Sequence, residues 1–203
     1  MTLMDRTARD LVDAFAASTP TPGGGSAAAV AGALGAGLLR MVAGMTKTRT
    51  GAPEERAALD GTLGALDEAR ARLVALVDED TAAYEAVMAT FRLPKATDEE
   101  KAARRAAIVE ATRRATTAPL DMMRATAAAL GAARLVAGHG NPNAASDVRV
   151  GVMLLAAACA GAHENVTINV PGLPEAERRG VEAEAAAVRG EADRAAAAAS
   201  AVS

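Results

Sequence analysis

Asp80 is the residue in this chain whose type and setting most invite chemistry. Leu73, Val77, Asp80, Tyr84, Val87 and Phe91 are spaced four, three, four, three and four apart, which draws a single stripe along a helix. A carboxylate therefore holds a position that the pattern otherwise gives to the core. The adjacent Asp78 and Glu79 fall off the stripe and read as solvated. Burial of a carboxylate is costly unless the group is partnered or neutralised. Desolvation would also lift its pKa toward the range useful to a proton acceptor near neutral pH. Two readings stand on this pattern: a salt bridge to an arginine on another helix, or a general base.

A second candidate is Ser18-Thr-Pro-Thr-Pro-Gly-Gly-Gly-Ser26 with the apolar run Ala27 to Met45 behind it. The prolines hold the approach extended, and the glycines let the backbone turn sharply and lie close to a neighbour. Ser26 is placed to cap the helix that follows. Bare amides at that helix start would suit an anion or the polar edge of a ligand, and a plain loop into a buried helix explains the same residues. The phosphate-loop and dinucleotide fingerprints do not fit, since no Lys-Ser/Thr follows and no strand precedes.

Polar groups recur later in the chain. Asp147, Gly151, Leu154, Ala158, Ala162, Asn165 and Asn169 share one helical face, with the polar members at its two ends. At ~1.5 Å per residue, Asp147 and Asn165 stand roughly 27 Å apart. One small site cannot use both unless a partner subunit supplies one of them. Asn141, Asn143 and Ser146 suit helix caps as well as a ligand. Arg40, Lys47 and Arg49 gather at one helix end, where they complement its dipole and could also receive a carboxylate.

The elements that must position these groups are helices. Residues 5–17 form a short amphipathic helix with Leu11, Val12 and Phe15 on one side. In the helix from Ala27 to about Met45, Ala28, Gly32 and Ala36 recur every four residues, as do Ala29, Ala33 and Gly37, so backbones can approach closely and this helix belongs at the centre. A long helix from Pro53 to about Arg92 stops at Leu93-Pro94, and Thr97-Asp-Glu-Glu100 caps another that reaches about Ala137. Pro119 should kink or divide it. A further helix starts near Ala144 and passes Asn165, its end blurred by the β-branched Val166 to Val170, and a last one covers about 175–199. No strand alternation or internal repeat is present. The expected architecture is all-α, an up-and-down bundle of long helices in a single domain, 1–203.

Composition narrows the function. Half of the 203 residues are apolar (51%) but only Phe15, Tyr84 and Phe91 are aromatic, so helices must pack closely and a subunit interface should add burial. A net charge of −3 leaves no footprint for nucleic acid. The single Cys159 excludes an intrachain disulfide, fits a reducing compartment and reads as a small buried hydrophobe. No basic-then-apolar signal opens the chain, and Arg40 interrupts the one run long enough to suggest a membrane. His139 and His163 have no zinc-site spacing. A cytoplasmic protein without metal, membrane or nucleic-acid partner is expected.

Taken in order, several segments resemble the cyclodeaminase/cyclohydrolase family. They are Thr19-Pro-Thr-Pro-Gly-Gly-Gly-Ser26, Asp78-Glu-Asp-Thr-Ala-Ala-Tyr84, Leu93-Pro-Lys-Ala-Thr-Asp-Glu-Glu-Lys-Ala-Ala-Arg104, Gly140-Asn-Pro-Asn-Ala-Ala-Ser-Asp147 and Asn165-Val-Thr-Ile-Asn169. Together they cover nearly the whole chain. The family includes methenyltetrahydrofolate cyclohydrolase and the cyclodeaminase part of formiminotransferase-cyclodeaminase. The resemblance implies a homodimeric helical domain that binds a reduced folate without metal or redox cofactor. It implies Asp80 as proton acceptor. It also implies substrate contacts from Pro22, Gly23, Gly24, Gly25, Ser26, Lys47, Arg49, Asn141, Ser146, Asp147, Asn165 and Asn169. Thr46-Lys-Thr-Arg-Thr-Gly51 departs from the family's lysine-rich, aromatic-bearing segment, leaving Lys47 and Arg49 to stand in for it, and Glu164 replaces an apolar residue. Hydrolysis of 5,10-methenyltetrahydrofolate is the expected activity. Deamination of 5-formiminotetrahydrofolate and a non-catalytic folate-binding dimer are the alternatives.

Overall fold

The computed structural model describes residues 2–202 and contains, among them, six α-helices and no strand. They are α1 (Ala8–Ala16), α2 (Gly24–Ala43), α3 (Pro53–Thr90), α4 (Asp98–His139), α5 (Ala145–Asn169) and α6 (Glu175–Ser200), with single 3₁₀ turns at Pro142–Ala144 and Val170–Gly172. Helices α2, α3, α4 and α5 form a four-helix square, and α6 lies across α4 and α5. Neighbours alternate in direction. The start of α2 meets α3 at Val77 to Thr81, and the end of α5 meets α4 at Ala115.

The ends follow local chemistry. Thr7 caps α1 through the Asp10 N–H, and Thr97 and Glu100 form a reciprocal capping box on α4. Pro53 occupies the first turn of α3. Helix α1 is only partly amphipathic, with Leu11 against the core and Val12 exposed.

Pro119 does not divide α4, which is one helix from Asp98 to His139. A proline has no N–H to give the carbonyl four residues back, here that of Ala115. Asn169 donates to that carbonyl instead, at 2.7 Å, and so ties the end of α5 to the gap in α4. The β-branched run before it remains helical because Val166 is buried in the core.

The centre of the bundle is built from small residues, as the four-residue repeats require. Ala29, Ala36, Ala129, Ala133, Ala158 and Ala162 are fully buried between Leu39, Leu73, Met122, Met123 and Leu155. Where α2 crosses α5, a Cβ on Gly35 would sit 2.8 Å from the Gly151 carbonyl oxygen. Cys159 is buried here too, and its surroundings push the thiol up. Both α2 and the 142–172 segment are long and apolar enough to cross a membrane, but more than half of the α2 stretch is buried inside the bundle.

The long helices are unequal. At ~1.5 Å per residue, α3 and α4 run roughly 57 and 63 Å, against roughly 30 Å for α2. The α3–α4 hairpin therefore extends beyond the point where α2 begins. Gly35→Ala, against a backbone carbonyl that cannot give way cheaply, is expected to cost about 2 kcal/mol and lower Tm by roughly 5 °C in thermal unfolding. Gly61→Ala, in open space on α3, should raise it instead.

Candidate active site

Helix α2 begins earlier than the sequence suggests, and this changes the role of Ser26. Gly24 and Gly25 adopt helical geometry, Gly23 takes the cap position, and Ser26 becomes the third residue of the helix. It is not the N-cap. Its side chain is fully buried and turns across to α3. There Ser26 Oγ lies 2.9 Å from the Val77 carbonyl oxygen, 3.0 Å from Asp80 Oδ2 and 3.1 Å from Thr81 Oγ1.

Asp80 thus sits over the N-terminus of α2. It accepts from both the hydroxyl and the backbone N–H of Ser26. The approach is close enough that a Cβ on Gly25 would stand 2.2 Å from Asp80 Oδ1. Gly25 is needed for proximity, and the anion that the bare amides invite is the chain's own carboxylate.

No arginine or lysine among the described residues pairs with Asp80, which removes the salt-bridge reading. Desolvation is the largest influence and raises the carboxyl above the ordinary aspartate value of 3.8, while the two Ser26 donors pull the other way. Asp80 is half-buried at the boundary between core and surface. Leu73 and Val77 before it are buried, but Tyr84 and Phe91 beyond it are 39% and 49% exposed, so the stripe leaves the core at Asp80.

Asp78 is not simply solvated either, since it accepts the Leu3 N–H at 2.6 Å and fastens the N-terminal segment. Glu79 is exposed and paired with Arg72 at 2.6 Å.

Asn165 belongs to the same end. Its Nδ2 donates to the Gly161 carbonyl at 2.8 Å and lies beside Gly24. Gly23, Gly24, Gly25, Ser26, Asp80 and Asn165 are therefore brought together, with Pro22 on the loop leading in. Asn169 is one turn further, with its amide engaged by Ala115.

The remaining candidates lie at the opposite end of α2. Lys47 is exposed beyond its C-terminus. Arg49 donates its side chain to the Ala137 carbonyl at 2.8 Å and its N–H to that of His139. Asn141 caps the 3₁₀ turn through the Asn143 N–H, and Ser146 and Asp147 open α5. Within one protomer the two groups are separated by the length of α2 and α5, about 27 Å along either axis.

Sequence reasoning missed two residues. Thr81 joins the Ser26–Asp80 cluster, and only the observation that it follows Asp80 could have pointed to it. Glu55 accepts from the Thr48 hydroxyl and the Thr50 and Gly51 N–H groups, which hold its carboxyl down to about 2 and fix the loop carrying Lys47 and Arg49.

Residues 7–187 match the formiminotransferase-cyclodeaminase family. The chain belongs to that family. Over 171 residues it is 40% identical to methenyltetrahydrofolate cyclohydrolase of Methylorubrum extorquens, covering 84% of this chain and 82% of that protein. It is 34% identical to formimidoyltransferase-cyclodeaminase of Rattus norvegicus over 173 residues, 85% of this chain but only 32% of that longer protein. The crystal structure of formiminotetrahydrofolate cyclodeaminase from Thermotoga maritima superposes with a TM-score of 0.84 at 25% identity, covering 97% of this chain and 95% of that one. The two sequence matches cover 84% and 85% of this chain and the superposition 97% of it.

The raised carboxyl makes a prediction about stability. An aspartate whose folded pKa exceeds its unfolded value destabilises the fold as pH rises through that interval, because the unfolded state ionises first. Asp80→Asn is therefore expected to be more stable than wild type at pH 7 in urea titrations. The advantage should shrink to nothing as pH falls below 3.8.

Proposed function

We propose that this protein hydrolyses 5,10-methenyltetrahydrofolate to 10-formyltetrahydrofolate, with Asp80 as the general base. The observation that carries the reading is a half-buried carboxylate, unpaired by any described cation and pushed above its ordinary value, at the start of α2 in a member of this family. The 40% identity to a methenyltetrahydrofolate cyclohydrolase across four-fifths of both chains supports this activity.

The chemistry fits the groups present. The one-carbon bridge of the substrate is an amidinium, already cationic and electrophilic, so the reaction calls on no metal or redox cofactor. An ionised Asp80 favours the cation and removes a proton from the attacking water. Collapse of the adduct breaks the N5–carbon bond, Asp80 returns a proton to N5, and the second proton of the water leaves to solvent. Ser26 and Thr81 orient the carboxylate. Gly25 admits Asp80 to the backbone, Gly23 and Gly24 let the ring approach beside it, and the Asn165 amide is offered to its polar edge.

A second reading is favoured by the Thermotoga maritima structure, a formiminotetrahydrofolate cyclodeaminase. There N10 would attack the formimino carbon of 5-formiminotetrahydrofolate and ammonia would leave, with Asp80 relaying the proton to the departing nitrogen.

The protein works as a cytoplasmic homodimer in this proposal. Leu34 is 59% exposed, Met153 66% and Met41 42%, all on the outer faces of α2 and α5. An apolar trough of about 520 Å³ runs there between Val30, Leu34, Leu38, Val74 and Leu154. A two-fold axis near Leu34 would cover this surface and set the Lys47–Asp147 end of one protomer beside the Asp80 end of the other. That arrangement reconciles two groups of candidates that one chain keeps apart.

Mixing the purified protein with methenyltetrahydrofolate should bleach its chromophore above the spontaneous rate. Ammonia release from formiminotetrahydrofolate, without hydrolysis, would favour the second reading. Asp80→Asn is expected to lower kcat by about 100-fold or more. The acid limb of kcat/KM should lie above pH 3.8 in wild type, with activity lost as pH falls through it. Leu34→Glu is expected to sediment as a monomer where wild type sediments as a dimer, and a Leu34→Glu dimer would place the interface elsewhere.

A further inference from the structure

The Asp80 face of α3 continues past the start of α2 into a cavity of about 400 Å³ that the mechanism leaves unused. Its walls include Pro20 and Thr21 on the loop before α2, Tyr84, Glu85 and Met88 on α3, and Arg92 on the turn just past its end. Asp80, Tyr84 and Met88 follow one another at four-residue intervals on one ridge of α3, and Arg92 keeps that interval in the turn that continues it. At ~1.5 Å per residue this ridge spans roughly 18 Å.

The chemistry changes in order along the ridge. It starts with a carboxylate that draws a cation, passes a phenol ring and a thioether, and ends in a guanidinium. Tyr84 and Met88 are 39% and 40% exposed, so both present accessible apolar surface to the cavity. The Arg92 guanidinium has no ion pair or side-chain hydrogen bond among the described residues. The turn that carries it is steadied by Arg104, whose guanidinium lies 5.6 Å from the Phe91 ring centre and 3.5 Å from the Phe91 carbonyl oxygen.

5,10-Methenyltetrahydrofolate has the same sequence of groups: a cationic bridge, an aromatic arm and a dicarboxylate tail. The geometry points to Arg92 as the residue that holds the glutamate tail of the substrate, with the p-aminobenzoyl ring laid on Tyr84 and Met88. The inference rests on the folate reading above and goes beyond it by locating the tail on the same chain as the base. Lys47 and Arg49 of that chain lie at the far end of α2 and cannot serve it. Glu85, which lines the same cavity next to Tyr84, repels a carboxylate halfway along and so favours the Arg92 end for the charged tail.

Calorimetric titration with 5-formyltetrahydrofolate and with 5-formyltetrahydropteroate, which lacks the glutamate, tests this assignment. Wild type is expected to bind the glutamylated ligand at least about tenfold more tightly. Arg92→Ala should bring the two Kd values within about threefold, Arg92→Lys should restore part of the difference, and Glu85→Gln should tighten the glutamylated ligand alone. A preference that survives Arg92→Ala, or that vanishes in Lys47→Ala/Arg49→Ala instead, overturns the assignment. So does equal weakening of both ligands by Glu85→Gln, which would put the pterin edge in this cavity. Because the readout is binding, a protein that binds both ligands without turnover loses the catalytic reading and not this one. A protein that hydrolyses methenyltetrahydrofolate while Arg92→Ala keeps its tail preference does the reverse, and wild type that binds neither ligand overturns both.

Discussion

Everything at the Asp80 end of the bundle depends on how closely the start of α2 lies against that carboxylate. Only a residue without a Cβ fits at position 25, and only a short hydroxyl side chain at position 26 can reach both the carboxylate and the turn behind it. Two opposed influences act on that carboxylate. Loss of water favours its neutral form, and the Ser26 donors with the helix N-terminus favour its charged form. With desolvation the larger, Asp80 gains basicity. A nearby arginine would have cancelled this, and among the described residues none pairs with it.

The body of the bundle is arranged to keep that contact. A core of alanine and glycine offers little volume per residue, so stability must come from backbones that approach closely. The Gly35–Gly151 crossing of α2 and α5 is the tightest expression of this. The same economy leaves large apolar side chains for the outer faces of α2 and α5, where Leu34 and Met153 face outward. A second copy of the chain is the occupant we favour for that surface, because it alone brings the Lys47 end to Asp80.

Two features show local sequence being overruled by packing. Pro119 would ordinarily break α4, yet the freed Ala115 carbonyl finds the Asn169 amide, and the helix continues. The β-branched residues before Asn169 would ordinarily favour extended backbone, yet burial of Val166 holds them helical. Asn169 therefore has a structural duty whatever it does for a ligand. Glu55 plays a similar part at the other end, gathering three donors from the turn that carries Lys47 and Arg49.

Periodicity and punctuation alone determined where the helices lie, most of their ends to within a few residues, and the odd carboxylate on an apolar stripe, leaving open whether Pro119 divides α4. These are local properties, set by spacing along one helix and by Pro, Gly and capping residues. Only the tertiary structure decided that Ser26 points across to α3 and does not cap its own helix, because that depends on Gly24 and Gly25 joining the helix. It also decided that the stripe leaves the core at Asp80, since α2 is too short to cover the rest of α3. Finally, it divided the candidate binding residues between two ends of the bundle. Helical spacing already held Asp147 and Asn165 apart, but that Lys47 and Arg49 share the Asp147 end while Gly23 to Ser26 share the Asn165 end follows from the antiparallel way α2 and α5 pack.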